Sequence, residues 1–286
     1  MTRTAAGTLY VVATPIGNLA DSSARSIEVL RAADLIACED TRTSRTLLAR
    51  HGIATELVSL HQHNEAFQSG KLLDLLLQGK SIALISDAGT PGLSDPGARL
   101  VEACHREDVR VTPIPGASAA MAAWSASGFS SPQFRFAGFF AGKASLEKLG
   151  AEPVILYEAP HRIRDTVIAL LERLGPEREI VIGRELTKKF EEVARMRLAE
   201  APAWLEGAHR QDGEFVLVLG PGPEIERDLA EGERVLKILS DKLPAGDAAR
   251  LAAKITGVSR NALYKVSLRP VSLRPVSPRP SPKKPK

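Results

Sequence analysis

Short apolar runs recur along the first 115 residues and alternate with segments of helical length. The runs span residues 9–13, 35–38, 57–60, 82–86 and 109–114. Runs of this length are typical of buried strands, and their alternation with helices is typical of an α/β layer. The pattern therefore predicts an N-terminal α/β domain over residues 1–115 with a largely parallel sheet.

The rhythm changes beyond residue 131. Apolar runs follow at residues 134–140, 154–157, 180–184, 191–196 and 215–220, with only two convincing helical segments among them. This pattern predicts a second α/β domain over residues 116–222, with a mixed sheet.

A Gly/Pro linker then leads into residues 223–266, which are predicted as a small helical module. Residues 247–255, a turn at 256–258 and a helix capped by Ser259 resemble a helix-turn-helix. The pattern leaves open whether this module reads nucleic acid or caps the second domain. Residues 267–286 contain six prolines and are predicted to be a disordered tail.

Composition narrows the class of protein. The chain has 286 residues, of which 44% are hydrophobic and 25% charged, as expected of a folded, soluble protein. Its formal charge is +4, but residues 267–286 carry six basic side chains and no acidic one, so the remainder carries −2. An electrostatic attraction to RNA therefore applies to the tail alone. Cys38 and Cys104 cannot form a disulfide framework, which favours a reducing cytoplasm.

Several common sites are excluded by spacing. No G-x-G-x-x-G follows a predicted strand, and the P-loop spacing is absent before Gly79-Lys80-Ser81. Residues 116–120 nearly match a nucleophile elbow, with Ala120 in place of the second glycine, so a serine hydrolase stays a weak alternative. His61 and His63 lie two residues apart, but no third ligand completes a metal site, and none is expected.

Turns follow four of the predicted strands, and all but the one at residues 38–42 contain both Gly and Pro. They comprise residues 14–19, 38–42, 86–97 and 115–118. Because the carboxyl ends of parallel strands meet at one edge of a sheet, these turns are expected to outline a small-molecule pocket. Each also has a structural interpretation; Asp95, for example, is expected to cap a helix that begins at Pro96.

These turns, together with residues 157–162 and 184–188, resemble the tetrapyrrole methylase superfamily, and within it the enzymes that methylate ribosomal RNA. The resemblance implies two α/β domains of the tetrapyrrole methylase (class III methyltransferase) type with a small C-terminal helical module. It also implies an S-adenosylmethionine-dependent 2′-O-methylation of a cytidine ribose in the decoding region of 16S ribosomal RNA. The expected partners are 16S rRNA or the small ribosomal subunit and a second copy of the chain, in the cytoplasm and without a membrane.

The resemblance further implies that the methyl donor lies in a cleft between the two domains. The residues expected around it are Pro15, Asp87, Gly89, Pro91, Ser118, Ala119, Tyr157, Glu158 and Ala159. Positive or potentially positive groups near the cleft are expected to position RNA phosphates. They are Arg42, Arg45, His161 and Arg162, and Lys188 is a further candidate.

The ribose hydroxyl must lose a proton, and two residues are candidates to accept it. Lys188 is a candidate if its pKa is lowered in the closed cleft, and Asp40 because it follows a strand end. Each has a plainer interpretation, since Lys188 could hold a phosphate and Asp40 could cap the helix beginning near Thr41.

The sequence departs from the family pattern at three places. Residues 140–153 are short of basic side chains, residues 195–197 replace a small glycine-containing turn, and the tail has no counterpart. Two alternatives stay open: a methylase acting on a tetrapyrrole, and a non-catalytic RNA-binding protein.

Overall fold

The computed structural model describes residues 6–222 and 224–267. The first sheet consists of β1 (Thr8–Val12), β2 (Leu35–Cys38), β3 (Leu57–Ser59), β4 (Ile82–Leu84) and β5 (Arg110–Ile114). Its strands are all parallel, in the order β3-β2-β4-β1-β5. The predicted parallel sheet is therefore confirmed, and the carboxyl ends of its strands share one edge.

Helices cover both faces of this sheet. They are α1 (Ala24–Ala32), α2 (Thr41–Arg50), α3 (Glu65–Leu77) and α4 (Ala98–Arg106). Leu9 of β1 packs in one core cluster with Leu72 of α3, whereas Val12 of the same strand packs in another with Leu30 of α1. The central strands β2 and β4 are apolar along their length, as expected of strands whose two faces are both buried.

The second sheet is mixed, as predicted. It comprises β6 (Arg135–Phe139), β7 (Val154–Glu158), β8 (Glu179–Arg184), β9 (Glu192–Arg197) and β10 (Phe215–Leu219), in the order β6-β7-β10-β8-β9. β6 and β7 are parallel, while β10 runs antiparallel to both β7 and β8. The helices of this region are α5 (Ala119–Ser127), α6 (Lys143–Glu147), α7 (Ile163–Leu174) and α8 (Ala201–Leu205). The expectation of two helices beyond residue 131 is wrong, because α6 and α8, of five residues each, accompany the longer α7.

The predicted cap at Asp95 is also wrong. Helix α4 begins at Ala98, and Gly97 occupies the cap position with a φ of +119°. A side chain there would be strained by this backbone conformation, and its Cβ would lie 2.6 Å from Leu84 Cδ2. The Gly97 amide donates to Glu65 Oε1 at 2.8 Å. The side chain that accepts from the beginning of α4 therefore comes from α3 and not, as expected, from Asp95.

Two of the departures from the family pattern have structural roles. Within residues 140–153, Phe140 and Leu149 are buried in the core under the second sheet. Residues 195–197 lie within β9, and the Arg195 guanidinium donates to the carbonyl of Ser127 at 3.2 Å and pairs with Glu179 at 3.0 Å. Arg195 thereby ties the end of α5 to the edge of the sheet.

The chain divides into two compact units, the first ending at Pro221 and containing both sheets, the second beginning at Gly222. The second unit contains α9 (Glu224–Ser240), α10 (Ala245–Thr256) and α11 (Arg260–Ser267) around Val235, Ala252 and Leu263. The boundaries at residues 115 and 222 stay predictions. All but the first residue of the predicted tail, 267–286, lies outside the described residues. Within those described, no helix is long and apolar enough to cross a membrane.

Candidate active site

A cavity of about 400 Å³ opens beside the turns that follow β1, β4 and β5. It is also bordered by β6, β7 and the beginning of β10. The lining residues are Ile16, Asp87, Ala88, Gly89, Thr90, Leu93, Ser94, Asp95, Ser118, Ala119, Phe139, Tyr157, Glu158, Ala159, Pro160, Leu186, Glu214, Phe215 and Val216. Its volume lies within the roughly 300–1,000 Å³ of small-molecule pockets.

Hydrogen bonds fix the turns of the first sheet to one another. The backbones of Thr14 and Gly89 exchange two hydrogen bonds of 2.8 and 3.0 Å, and the Thr14 hydroxyl donates to the Ser86 carbonyl at 3.1 Å. The Thr90 hydroxyl donates to the Ala117 carbonyl at 3.0 Å, which adds the turn after β5. Three separate turns are thus held together, so the backbone groups along the cavity have fixed positions.

The turn after β7 is organised around one buried carboxylate. The Glu158 side chain is 0% exposed, and its Oε1 accepts from the Ala159 amide at 2.7 Å and from Arg162 Nε at 2.8 Å. Its Oε2 accepts from the Thr166 hydroxyl at 2.6 Å. Both oxygens are therefore occupied in holding the turn and the beginning of α7.

Aromatic rings form the neighbouring wall. Tyr157 contacts Phe136 and Phe139 with ring centroids 5.0 and 5.5 Å apart, in edge-to-face arrangements. Burial raises the pKa of the Tyr157 hydroxyl, so it stays neutral. Phe139 is 55% exposed despite its size, and it presents an apolar surface at the cavity.

Lys188 lies in the loop after β8 and is paired twice. Its Nζ contacts Glu185 Oε1 at 2.8 Å and Glu214 Oε2 at 3.0 Å. Desolvation favours a lower pKa, but the hydrogen bonds to the two carboxylates outweigh it, and the pKa of Lys188 is raised. The role of Lys188 as proton acceptor required a lowered pKa. Its pKa is raised instead, so the side chain is a cation.

This loop packs closely against the turn after β1. Glu185 and Thr187 have φ values of +48° and +67°, unusual for residues with side chains. A Cβ on Gly17 would lie 2.5 Å from Lys188 Cγ, so glycine permits the contact.

Asp40 caps α2, as its plainer interpretation expected. Its side chain accepts from the Arg42 amide at 2.8 Å and pairs with the Arg42 guanidinium at 2.8 Å. Hydrogen bonds from the Arg42 side chain and backbone lower the pKa of Asp40 to about 2. A carboxylate with so low a pKa is a weak proton acceptor at neutral pH.

Asp95 has the opposite environment. It is half-buried, and desolvation, followed by the negative charge of Glu39, raises its pKa to about 6. Glu39 itself has a raised pKa, first because of burial and then because of the charge of Asp87. Asp95 is not recognisable as a site residue from the sequence, because an Asp before Pro matches a helix start.

Seven of the nine residues expected around the methyl donor line the cavity. They are Asp87, Gly89, Ser118, Ala119, Tyr157, Glu158 and Ala159. Pro15 and Pro91 lie in the same turns, but the lining there is formed by Ile16 and by residues 87–90 and 93–95. Ser118 caps α5 through a hydrogen bond from the Met121 amide at 3.5 Å, which turns the helix start toward the cavity.

The expected RNA-binding residues lie outside the lining. The Arg42 side chain is 87% exposed and paired with Asp40, Arg162 is 45% exposed and paired with Glu158, and Arg45 and His161 are exposed. His61 and His63 lie with ring centroids 5.9 Å apart. Within the described residues, no group of three or more His, Cys, Asp or Glu side chains is arranged to hold a metal ion.

Part of the lining could not be anticipated from strand ends. Phe215 and Val216 begin β10, and Glu214 directly precedes it. This strand runs antiparallel and pairs Phe215 with both Glu158 and Arg184. The rule that ligands contact carboxyl ends of strands applies to parallel sheets and therefore omits this strand.

Two family models match the chain. The model for tetrapyrrole (corrin/porphyrin) methylases matches residues 8–202, and a model described as the RsmI C-terminal HTH domain matches residues 226–269. Proteins named ribosomal RNA small subunit methyltransferase I are similar over nearly the whole chain. That of Mesorhizobium japonicum is 47% identical over 264 residues, covering 90% of each chain. That of Escherichia coli is 45% identical over 271 residues, covering 92% of this chain and 95% of its own.

Solved structures share the fold at lower identity. A uroporphyrin-III-C-methyltransferase from Thermus thermophilus has a TM-score of 0.55 and 22% identity, covering 75% of this chain and 94% of its own. A diphthine synthase has a TM-score of 0.56 and 17% identity, covering 74% and 89%. Another Thermus thermophilus structure, complexed with S-adenosyl homocysteine, has a TM-score of 0.53 and 16% identity, covering 77% and 99%. The expected fold class is confirmed.

Proposed function

The chain belongs to the tetrapyrrole methylase family, and from this membership we propose that it is an S-adenosylmethionine-dependent methyltransferase of small-subunit ribosomal RNA. The observation that carries the proposal is the similarity, over 90–92% of the chain, to proteins named for that activity, together with the match of the C-terminal module. The proposed target is the 2′-hydroxyl of a cytidine ribose in the decoding region of 16S rRNA. The proposed partners are that RNA or the small subunit and a second copy of the chain.

The cavity fits the proposed methyl donor. Ile16, Leu186 and Val216 provide apolar walls suited to a nucleoside, while Asp87 and Asp95 bring negative charge. A sulfonium is attracted to such carboxylates, and more strongly in a half-buried site than in water. We propose that the seven lining residues expected from the sequence contact the donor.

The proposed reaction depends on alignment. The donor supplies a methyl group already activated by the positive sulfur. The fixed turns would hold it so that a ribose oxygen approaches the methyl carbon in line, and such positioning removes much of the entropic cost of reaction. Because Lys188 is a cation, its proposed contribution is to hold a phosphate near the cavity, together with Arg42, Arg45, His161 and Arg162.

Mapping of ribose methylation in ribosomal RNA tests this function. Cells with and without the gene are compared, and purified protein is supplied with labelled donor and small ribosomal subunits. We expect one 2′-O-methylcytidine of the decoding region to vanish in the deletion strain and to return on complementation. Transfer of the label to a reduced tetrapyrrole, with none to RNA, would replace this proposal by the rival one. RNA binding without any donor binding would favour a non-catalytic protein.

A further inference from the structure

Four carboxylates line the cavity within the described residues, and they differ in their partners. They are Asp87, Asp95, Glu158 and Glu214. Both oxygens of Glu158 are occupied by donors, and Glu214 is paired with Lys188. Asp87 is exposed and accepts the Asp40 amide at 3.1 Å. Asp95 is half-buried and has no ion pair within the described residues.

The backbone on both sides of Asp95 has a defined conformation. Ser94 has a φ of +69°, and Gly97 has a φ of +119° with its amide bound to Glu65. Pro96 between them is buried and has a fixed φ. A residue bracketed by such turns loses little further freedom when it acts on a ligand, as a preorganised catalytic group requires.

The charged groups around Asp95 are mainly negative. Glu39 from the end of β2 and Asp87 from its own loop disfavour its ionised form, and the Ser86 side chain partly opposes them. The negative charge of Asp95 in turn contributes to the raised pKa of Tyr157, at the end of β7. Glu65 of α3 and Arg99 of α4 are paired with each other at 4.0 Å. This environment favours the uptake of a proton by Asp95.

We propose that the carboxylate of Asp95 accepts the proton of the attacking ribose hydroxyl. This inference rests on the proposed function and assigns the proton acceptor that function requires. As the oxygen–carbon bond forms, the carbon–sulfur bond breaks and its electron pair stays on sulfur, leaving S-adenosylhomocysteine and the methyl ether. The proton passes from the hydroxyl to Asp95 and then to solvent. A carboxyl with a pKa of about 6 suits this task, because it is ionised at neutral pH and still basic.

The test compares Asp95→Asn with Glu39→Gln in the full-length protein. Asparagine keeps the size of the side chain but cannot take the proton, so we expect methyl transfer to small subunits to fall by about 10²- to 10⁴-fold. Binding of S-adenosylhomocysteine, measured by calorimetry, should stay within about threefold of wild type, because it involves no proton transfer. That binding also shows that the variant is folded.

The Glu39→Gln control tests the pKa of Asp95 by removing the negative charge of Glu39. The wild-type rate should rise with pH through the pKa of Asp95, and removal of a neighbouring negative charge should move this inflection to lower pH with the plateau unchanged. A purely structural role for Asp95 would not produce this shift.

Three outcomes would overturn the proposal. They are transfer by Asp95→Asn at the wild-type rate, loss of S-adenosylhomocysteine affinity in parallel with rate, and an inflection that Glu39→Gln does not move. Lys188→Gln is the matched alternative: its loss should disappear at saturating RNA, as expected of a phosphate contact, and a loss of kcat there as large as that expected for Asp95→Asn would assign the proton to Lys188. Absence of RNA methylation by the wild-type protein would instead reject the proposed function.

Discussion

The turn after β7 and the loop after β4 border one cavity, and each brings a carboxylate to it. In the turn after β7, Glu158 is fully buried and its oxygens accept from Ala159, Arg162 and Thr166. In the loop after β4, Asp95 is half-buried among negative neighbours. The difference shows that a place in the lining does not decide the role of a residue; its partners do. The carboxylate of Glu158 stabilises the turn after β7, whereas the carboxylate of Asp95 is free of ion pairs within the described residues and has a raised pKa.

The largest expected effect comes from removing the engaged carboxylate. Glu158→Ala leaves the Thr166 hydroxyl and the Ala159 amide without their partner, so we expect the free energy of unfolding to fall by roughly 2–4 kcal/mol. Urea denaturation measures it. The control is Glu177→Gln, which breaks an exposed pair with Arg197 and should change stability by less than about 0.5 kcal/mol. Equal effects of the two substitutions would remove the structural role assigned to Glu158.

The second effect concerns the backbone that positions Asp95. Gly97→Ala introduces a Cβ at a φ of +119° and 2.6 Å from Leu84 Cδ2, so we expect a loss of roughly 1–3 kcal/mol. Gly70→Ala is the matched control, because Gly70 lies in α3 with open space around it and should gain up to about 1 kcal/mol. Thermal unfolding of both variants tests whether Gly97→Ala lowers the stability and Gly70→Ala raises it. A Gly97→Ala protein as stable as wild type would mean that this loop is not fixed.

The smallest expected effect is a gain in the free energy of unfolding, produced by Asp95→Asn. A carboxyl whose pKa is raised on folding stabilises the folded state at low pH, and this contribution is lost as pH rises through about 6. At pH 8 the ionised Asp95 is therefore unfavourable, and Asp95→Asn should unfold with a free energy about 1–2 kcal/mol higher than wild type, after allowance for screening by solvent. The advantage should shrink as the pH is lowered from 8 to 5. A lower stability of Asp95→Asn than of wild type at pH 8 would show that Asp95, like Glu158, stabilises the fold.

The sequence predicts much of this picture, and the missing parts have physical causes. The parallel sheet follows from apolar runs buried on both faces, and the turns after β1, β4 and β5 follow from Gly and Pro at strand ends. The contribution of β10 escaped prediction because antiparallel pairing brings the beginning of a strand, Phe215, beside the end of β7. Asp95 escaped because Asp-Pro is a frequent helix start, and only the structure shows Gly97 in the cap position.

The pKa shifts of Lys188 and Asp40 could not be predicted from the sequence either. The double pairing of Lys188 depends on Glu214, which lies 26 residues further along the chain. The low pKa of Asp40 depends on the orientation of the Arg42 side chain. The pairing of Lys188 leaves no pattern in the sequence, since it depends on how two loops meet, whereas the contact of Asp40 is local and its cap of α2 is anticipated by the sequence.

Calorimetric titration with S-adenosylhomocysteine tests the assignment of the cavity to the methyl donor most directly. Ala119→Phe places a ring into the cavity from the first residue of α5, whereas Ser125→Phe adds the same ring at an exposed position of that helix. The account predicts one site per chain in wild type and in Ser125→Phe, and no detectable heat in Ala119→Phe. Undiminished binding by a folded Ala119→Phe protein, or no binding by the wild type, would contradict it.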